Sequence, residues 1–97
     1  MAQVAPSVET HAWVDRSLDY LLAEWRAMPR IVAAWETWDE HERLVFVVDW
    51  PVFDDRLNRL RKTIAEGGLT PEQEPRYREL ETLIDRYRPL LDRLLAE

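Results

Sequence analysis

The sequence contains no cysteine, which excludes a disulfide framework, a thiolate zinc site and thiol catalysis. Glycine occurs only at the adjacent positions Gly67 and Gly68, so little of the turn chemistry that a β-sheet needs is present. No apolar run approaches the length of a membrane span, and residues 1–7 lack the basic and apolar regions of a signal peptide. We therefore expect a cytoplasmic protein that does not use a membrane.

Acidic residues outnumber basic ones, and lysine is scarce. The net charge is −6, and Lys62 is the single lysine beside twelve arginines. Residues 1–50 carry nine acids and four arginines, a net charge of −5, whereas residues 51–97 carry ten acids and nine basic residues, a net charge of −1. An acidic chain without a basic stripe is poorly suited to a phosphate backbone. The balance predicts no nucleic-acid binding and favours a basic protein partner.

Apolar residues recur every three or four positions in the C-terminal part of the chain. The stripe consists of Tyr77, Leu80, Ile84, Tyr87, Leu91 and Leu94, with Leu83, Leu90 and Leu95 beside it. This period is typical of one face of an α-helix and predicts a long helix over residues 70–96. Thr70 and Gln73 have the spacing of a capping box, with Pro71 at the first helical position. Because the stripe keeps its phase across Pro89, we predict one helix that is kinked there.

Three further helices are predicted upstream. Ser7 can cap the first, which runs to about Ala27. Its apolar stripe is Val14, Leu18, Leu21, Trp25 and Met28. The second spans residues 30–49. The third begins at Asp49-Trp50-Pro51, which has the residue types of a cap and first turn, and ends at Gly67 in a left-handed conformation.

The segment Leu44–Val48 is a continuous apolar run rich in β-branched residues. Its propensities are also compatible with a strand. We predict helix, because a lone strand would have no partner elsewhere in the sequence. A helix that is apolar all round is expected to be the central and most buried one.

Together these patterns predict an all-α protein. Residues 1–6 are expected to be a flexible tail, and residues 7–97 a single domain folded as a small antiparallel bundle of about four helices. The last stripe is wide for a chain of this length. We therefore expect homodimerisation through Tyr77, Leu80, Ile84, Tyr87, Leu91 and Leu94.

A second candidate surface lies around two tryptophans one helical turn apart, Trp35 and Trp38. Asp39 and Glu42 are among the carboxylates beside them. An aromatic surface flanked by carboxylates can hold a cation or anchor a basic protein. The alternative is that both rings fill the bundle while the acids face water.

The sequence offers little chemistry for metal binding or catalysis. Helical di-metal sites use Glu-x-x-His, but the residue three positions before His41 is Trp38. No phosphate-binding or dinucleotide-binding motif is present. We therefore expect no metal, no cofactor and no enzymatic activity.

The resulting hypothesis is a non-enzymatic helical interaction module that self-associates through its last helix. A more specific version is an acidic antitoxin-like or immunity-like protein that neutralises a basic partner. The competing hypothesis is a small-molecule-binding protein or small helical enzyme with a pocket lined by tryptophan and arginine.

Overall fold

The computed structural model describes residues 7–96. They form three long α-helices and one short one: α1 (Val8–Arg26), α2 (Met28–Ala34), α3 (Glu40–Ala65) and α4 (Glu74–Ala96), with a 3₁₀ turn at Trp35–Thr37. These residues contain no strand, so the predicted all-α class is confirmed and residues 43–50 are helical. The predicted flexible tail at residues 1–6 lies outside the described residues.

The predicted helix ends are formed by local hydrogen bonds. The Ser7 hydroxyl accepts a hydrogen bond of 3.0 Å from the Thr10 backbone N–H. Thr70 and Gln73 exchange the two hydrogen bonds of a capping box, at 3.0 and 3.3 Å, one turn before α4 becomes regular. Gly67 has a φ of +91°, which an L-residue with a side chain adopts only at a cost. These ends are set by residues near one another in the sequence.

The division of the middle of the chain into helices at 30–49 and 50–66 is wrong. The chain leaves the helical conformation at Trp38 and re-enters it after Asp39, and α3 then continues through Pro51 to Ala65. A proline inside a helix costs about 3 kcal/mol. The inner stripe of α3 offsets this cost because it keeps a spacing of three or four residues across the proline: Phe46, Trp50, Phe53, Leu57, Leu60 and Ile64.

The central helix is α1, which packs against α2, α3 and α4. Its predicted stripe is buried, and Val14, Leu18 and Leu21 are fully inaccessible to solvent. The expectation that residues 44–48 would be central is wrong, since only Phe46 of this run packs against the core. The buried side chains of α4 face the same core. This helix runs through Pro89 without a break, and its kink stays a prediction.

Arginine side chains join the helices at their edges. Arg26 on α1 donates two hydrogen bonds to Glu79 on α4, at 2.6 and 2.7 Å. Arg88 on α4 reaches Asp54 on α3 at 2.7 and 3.2 Å. Such paired contacts between a guanidinium and a carboxylate fix orientation as well as distance. These contacts link α1 to α4 and α4 to α3, at the edge of the core that is formed around α1.

The molecule is elongated for its length. Its radius of gyration is 15.6 Å and its principal extents are 53 × 24 × 19 Å, whereas a compact domain of this size has a radius of about 12–13 Å. None of the helices in residues 7–96 combines the length and apolar character that crossing a bilayer requires. An elongated form leaves more of each helix at the surface.

Candidate functional site

An apolar surface lies on the N-terminal half of α3. It is formed by five side chains, which we call the α3 ridge: Leu44 (59% exposed), Val45 (45%), Val47 (36%), Val48 (63%) and Val52 (62%). Leu44, Val48 and Val52 follow one another at intervals of four residues, so they lie along one line of the helix. Together the five expose a few hundred Å², a size at which a surface patch is often functional.

The ridge exists because the apolar run is wider than one helix face. Successive residues of an α-helix are rotated by about 100°, so five consecutive residues cannot all point inward. Phe46 takes the inward position and contacts the core. Its neighbours in the run therefore face solvent. The length of the run was the available signal for this exposure.

A groove lies on each side of the ridge. One has a volume of about 400 Å³ and is lined by Glu24, Ile31, Trp38, His41, Glu42, Val45, Phe46, Asp49 and Phe53. The other has a volume of about 290 Å³ and is lined by Trp35, Glu40, Arg43, Leu44 and Val47. A line of protruding apolar side chains between two grooves is the surface shape against which another helix packs, ridge into groove.

Aromatic rings support the ridge from beneath. Phe46 lies 5.8 Å from Trp35 and 5.5 Å from Trp50, measured between ring centroids. Trp50 meets Trp25 of α1 edge to face at 5.4 Å, a favourable geometry for aromatic pairs. The buried indole nitrogen of Trp50 has no hydrogen-bond acceptor among the described residues. The ring packing must therefore offset the cost of this unpaired donor.

The two tryptophans predicted to bind a partner have different environments. Trp35 is 2% exposed, and the Arg43 guanidinium lies 5.4 Å from the centre of its ring. Trp38 is half-buried and lines the larger groove. Their rings still touch, with centroids 5.7 Å apart. Trp38 is therefore better placed than Trp35 to contact a ligand directly.

Asp39 and Glu42, the acidic members of the same predicted site, form the start of α3. The Asp39 carboxylate accepts a hydrogen bond of 2.8 Å from the Glu42 backbone N–H. The Glu42 carboxylate accepts one of 3.4 Å from the Asp39 backbone N–H. The spacing Asp-x-x-Glu is a capping-box signal that the sequence interpretation assigned to partner binding instead. Glu42 also lines the larger groove.

The stripe predicted for self-association lies largely inside the fold. Leu80, Ile84 and Leu91 are buried, while Tyr77, Tyr87 and Leu94 are half-buried. Burial raises the pKa of the Tyr77 phenol, and the nearby Glu81 carboxylate adds to this rise. The buried side chains contact a second copy only if the fold opens. Self-association through this stripe stays a prediction, and the exposed apolar surface is elsewhere.

Charge is unevenly distributed along α3. Residues 39–42 contain three carboxylates and a histidine, a net charge of −3. Residues 56–62 contain three arginines and a lysine without an acid, a net charge of +4. The ridge lies between these two ends. A helix that covers the ridge would therefore lie near negative charge at one end and positive charge at the other.

Comparisons with protein-family models, curated proteins and solved structures find no match for this chain. Within residues 7–96, no group of three or more metal-ligating side chains comes together. The α3 ridge and its grooves are therefore the features from which a function is proposed.

Proposed function

We propose that this chain is a non-enzymatic, cytoplasmic protein–protein interaction module that binds through the α3 ridge. The observation that carries the proposal is the exposure of five neighbouring apolar side chains, each at least 36% accessible. Covering apolar surface is favourable by about 25 cal/mol per Å². A contiguous patch of this kind with a charged rim is the usual form of a protein-binding surface.

The rigidity of the ridge favours the binding of a partner. The side chains project from the N-terminal half of a 26-residue helix that is anchored by the aromatic rings beneath it. Little conformational entropy is lost when such a surface is covered, because its backbone is already ordered. The ridge is therefore better prepared for binding than a loop of similar composition.

The proposal is tested by a photo-crosslinking residue placed at Val48 in the native host. We expect a discrete protein adduct from this position. The matched control carries the same residue at Asp85, which is exposed on α4, and should give no adduct. Equal labelling from both positions, or none from Val48, would contradict the proposal.

A second candidate function is the binding of a basic protein in the larger groove. Three carboxylates, from Glu24, Glu42 and Asp49, line this groove together with the ring of Trp38. Carboxylates and an aromatic face together suit a guanidinium or ammonium group. This lining supports the earlier hypothesis of an acidic protein that neutralises a basic partner.

An arginine-rich peptide separates this second function from the first. Titration of the protein should change its tryptophan fluorescence in a saturable way, and the affinity should fall as salt rises. Combining Glu24→Gln with Asp49→Asn should weaken binding by about tenfold or more, while Asp85→Asn should not. A response that ignores salt, or no response, would count against the acidic groove.

The alternative of a small-molecule pocket lined by tryptophan and arginine is best matched by the smaller groove, where Trp35 and Arg43 lie together. There the Arg43 guanidinium already stacks on the Trp35 ring, and its Nε donates a hydrogen bond of 3.0 Å to the Trp35 carbonyl. Both groups have partners within the chain. This arrangement favours packing over ligand binding.

A further inference from the structure

We infer that the partner of the α3 ridge is a different protein that presents a carboxylate side chain to Arg56. The inference rests on the proposed function, because it names the chemistry of the partner that covers the ridge. Arg56 follows Val52, the last residue of the ridge, by one helical turn, so the two positions are about 6 Å apart along α3. A partner that covers Val52 therefore reaches the Arg56 guanidinium.

The Arg56 guanidinium is held by three residues on one face of α1. Its Nε donates a hydrogen bond of 3.0 Å to the hydroxyl of Ser17, which is fully buried. Its central carbon lies 5.5 Å from the centre of the Trp13 ring and 5.4 Å from the centre of the Tyr20 ring. Residues seven apart are separated by about 10.5 Å along a helix, and each ring lies at about half that distance from the guanidinium. The guanidinium therefore lies between the two rings.

Arg56 lacks the counter-charge that comparable arginines have. Four other arginines are half-buried, as Arg56 is, and each lies within 4.0 Å of a carboxylate: Arg43, Arg61, Arg76 and Arg88. Within residues 7–96, no carboxylate lies that close to the Arg56 guanidinium, and its one hydrogen bond there is to Ser17. A guanidinium has five N–H donors, so most of those of Arg56 remain available. They fit an oxyanion from outside the chain.

The geometry suits a carboxylate. A guanidinium is planar, and its terminal nitrogens can donate two parallel hydrogen bonds to the two oxygens of one carboxylate. The Trp13 and Tyr20 rings cover its faces and keep water from them, which strengthens such a charged contact. Tryptophan, tyrosine and arginine are also the residue types that contribute most often to binding energy at interfaces. Tyr20 is 39% exposed, so a partner can contact its ring and the guanidinium together.

The charge around Arg56 also favours an acidic group. Residues 54–62 contain two aspartates, three arginines and one lysine, a net charge of +2. Both aspartates are already paired within the chain, Asp54 with Arg88 at 2.7 Å and Asp55 with Arg59 at 3.2 Å. A carboxylate that approaches Arg56 therefore meets net positive charge.

Photo-crosslinking from Val48 in the native host tests whether Arg56 contributes to binding. Arg56→Gln removes the charge and the paired donors, and should lower the yield of the Val48 adduct by about tenfold or more. Arg93→Gln is the matched control, because Arg93 is exposed on α4, and it should leave the yield unchanged. The helical circular dichroism of both variants should match that of the wild type.

Arg56→Lys identifies the group that this position contacts and does not depend on the stability of Arg56→Gln. A carbodiimide joins an amine to a carboxylate in contact with it through an amide bond. In the tagged variant isolated with its partner from the native host, we expect mass spectrometry to find residue 56 joined to an aspartate or glutamate of a different protein. Lys62, which is exposed on the same helix, is the internal control and should not be joined to that carboxylate. Coupling of residue 56 only to acids of this sequence, in the same or a second copy, would overturn the inference.

Titration with inorganic phosphate distinguishes a carboxylate of the partner from a free anion. The Arg56 Nε–H signal in a proton–nitrogen NMR spectrum can be assigned by its loss in Arg56→Lys. At millimolar phosphate, this signal should shift no more than that of Arg93. A saturable shift of the Arg56 signal alone would assign the position to a free oxyanion and overturn the partner as its source.

The outcomes separate this inference from the proposed function. A Val48 adduct whose yield is unchanged by Arg56→Gln would overturn the inference and leave the interaction module standing. The absence of any Val48 adduct in the wild type would overturn the proposed function, and the inference with it.

Discussion

The Asp39 carboxylate accepts a hydrogen bond of 2.8 Å from the Glu42 backbone N–H, and the Glu42 side chain lies 3.4 Å from the Asp39 backbone nitrogen. This reciprocal pair starts α3, the helix that carries the ridge. Residues that the sequence suggested as partner contacts therefore have a structural role of their own. The position of the ridge depends on where this helix begins.

Asp39→Ala should lower the free energy of unfolding by about 1 kcal/mol, because the cap hydrogen bond is lost. Urea denaturation measures the change. Asp39→Ser is the matched control, since a hydroxyl can also accept from the Glu42 N–H, and it should retain most of the stability. Equal stability of Asp39→Ala and the wild type would show that the cap contributes nothing.

Gly67→Ala should destabilise the turn between α3 and α4 by about 1–2 kcal/mol, because its φ of +91° brings a Cβ close to the following carbonyl oxygen. Asparagine tolerates this conformation better. Gly67→Asn should therefore lose clearly less stability than Gly67→Ala in the same urea titration. Identical losses would indicate that the backbone angle is not the cause.

Leu91→Ala and Leu44→Ala distinguish core from surface. Leu91 is fully buried, so its truncation should cost about 2–5 kcal/mol. Leu44 is 59% exposed, and its truncation should cost less than about 0.5 kcal/mol in the monomer. Both changes are measured by urea denaturation. A similar small cost for both would mean that α4 is not part of the core.

Glu79 should make the stability of the fold depend on pH in the acidic range. The two hydrogen bonds from Arg26 lower the pKa of the Glu79 carboxyl. A carboxylate whose pKa is lower in the folded state stabilises the fold above its unfolded pKa, and this stabilisation is lost as pH falls through the folded value. Glu79→Gln should therefore lower the melting temperature at about pH 7 and have little effect at about pH 2. Asp85→Asn is the exposed control, and a pH-independent effect of Glu79→Gln would contradict the account.

Features set by nearby residues could be predicted from the sequence. The stripe of α1 and the cap at Ser7 are confirmed, because their signals span only a few residues. The Thr70–Gln73 hydrogen bonds are also present, although α4 begins only at Glu74. Continuity through Pro89 was predicted from the unbroken phase of the stripe. The same argument applies at Pro51, where Phe46, Trp50 and Phe53 are also in phase. Weighing the proline there above the phase gave the wrong helix boundaries.

Features set by distant residues could not be predicted. Arg88 and Asp54 are separated by 34 positions, and sequence spacing carries no information on their pairing. The exposure of Val48 likewise depends on which face of α3 meets α1. From the apolar run the sequence analysis predicted the central and most buried helix, because the sequence does not show which sides of a helix are covered. Packing alone decided that Phe46 would be the one turned inward.

Amide hydrogen exchange tests the central claim most directly when it is measured on the protein alone and on the tagged protein isolated with its bound partner from the native host. The account predicts that peptides covering residues 44–52 exchange more slowly in the complex, because the partner covers the α3 ridge. Peptides covering residues 80–91 should exchange equally in both samples. Equal exchange of residues 44–52 in the two samples would contradict the claim that the α3 ridge is a binding surface.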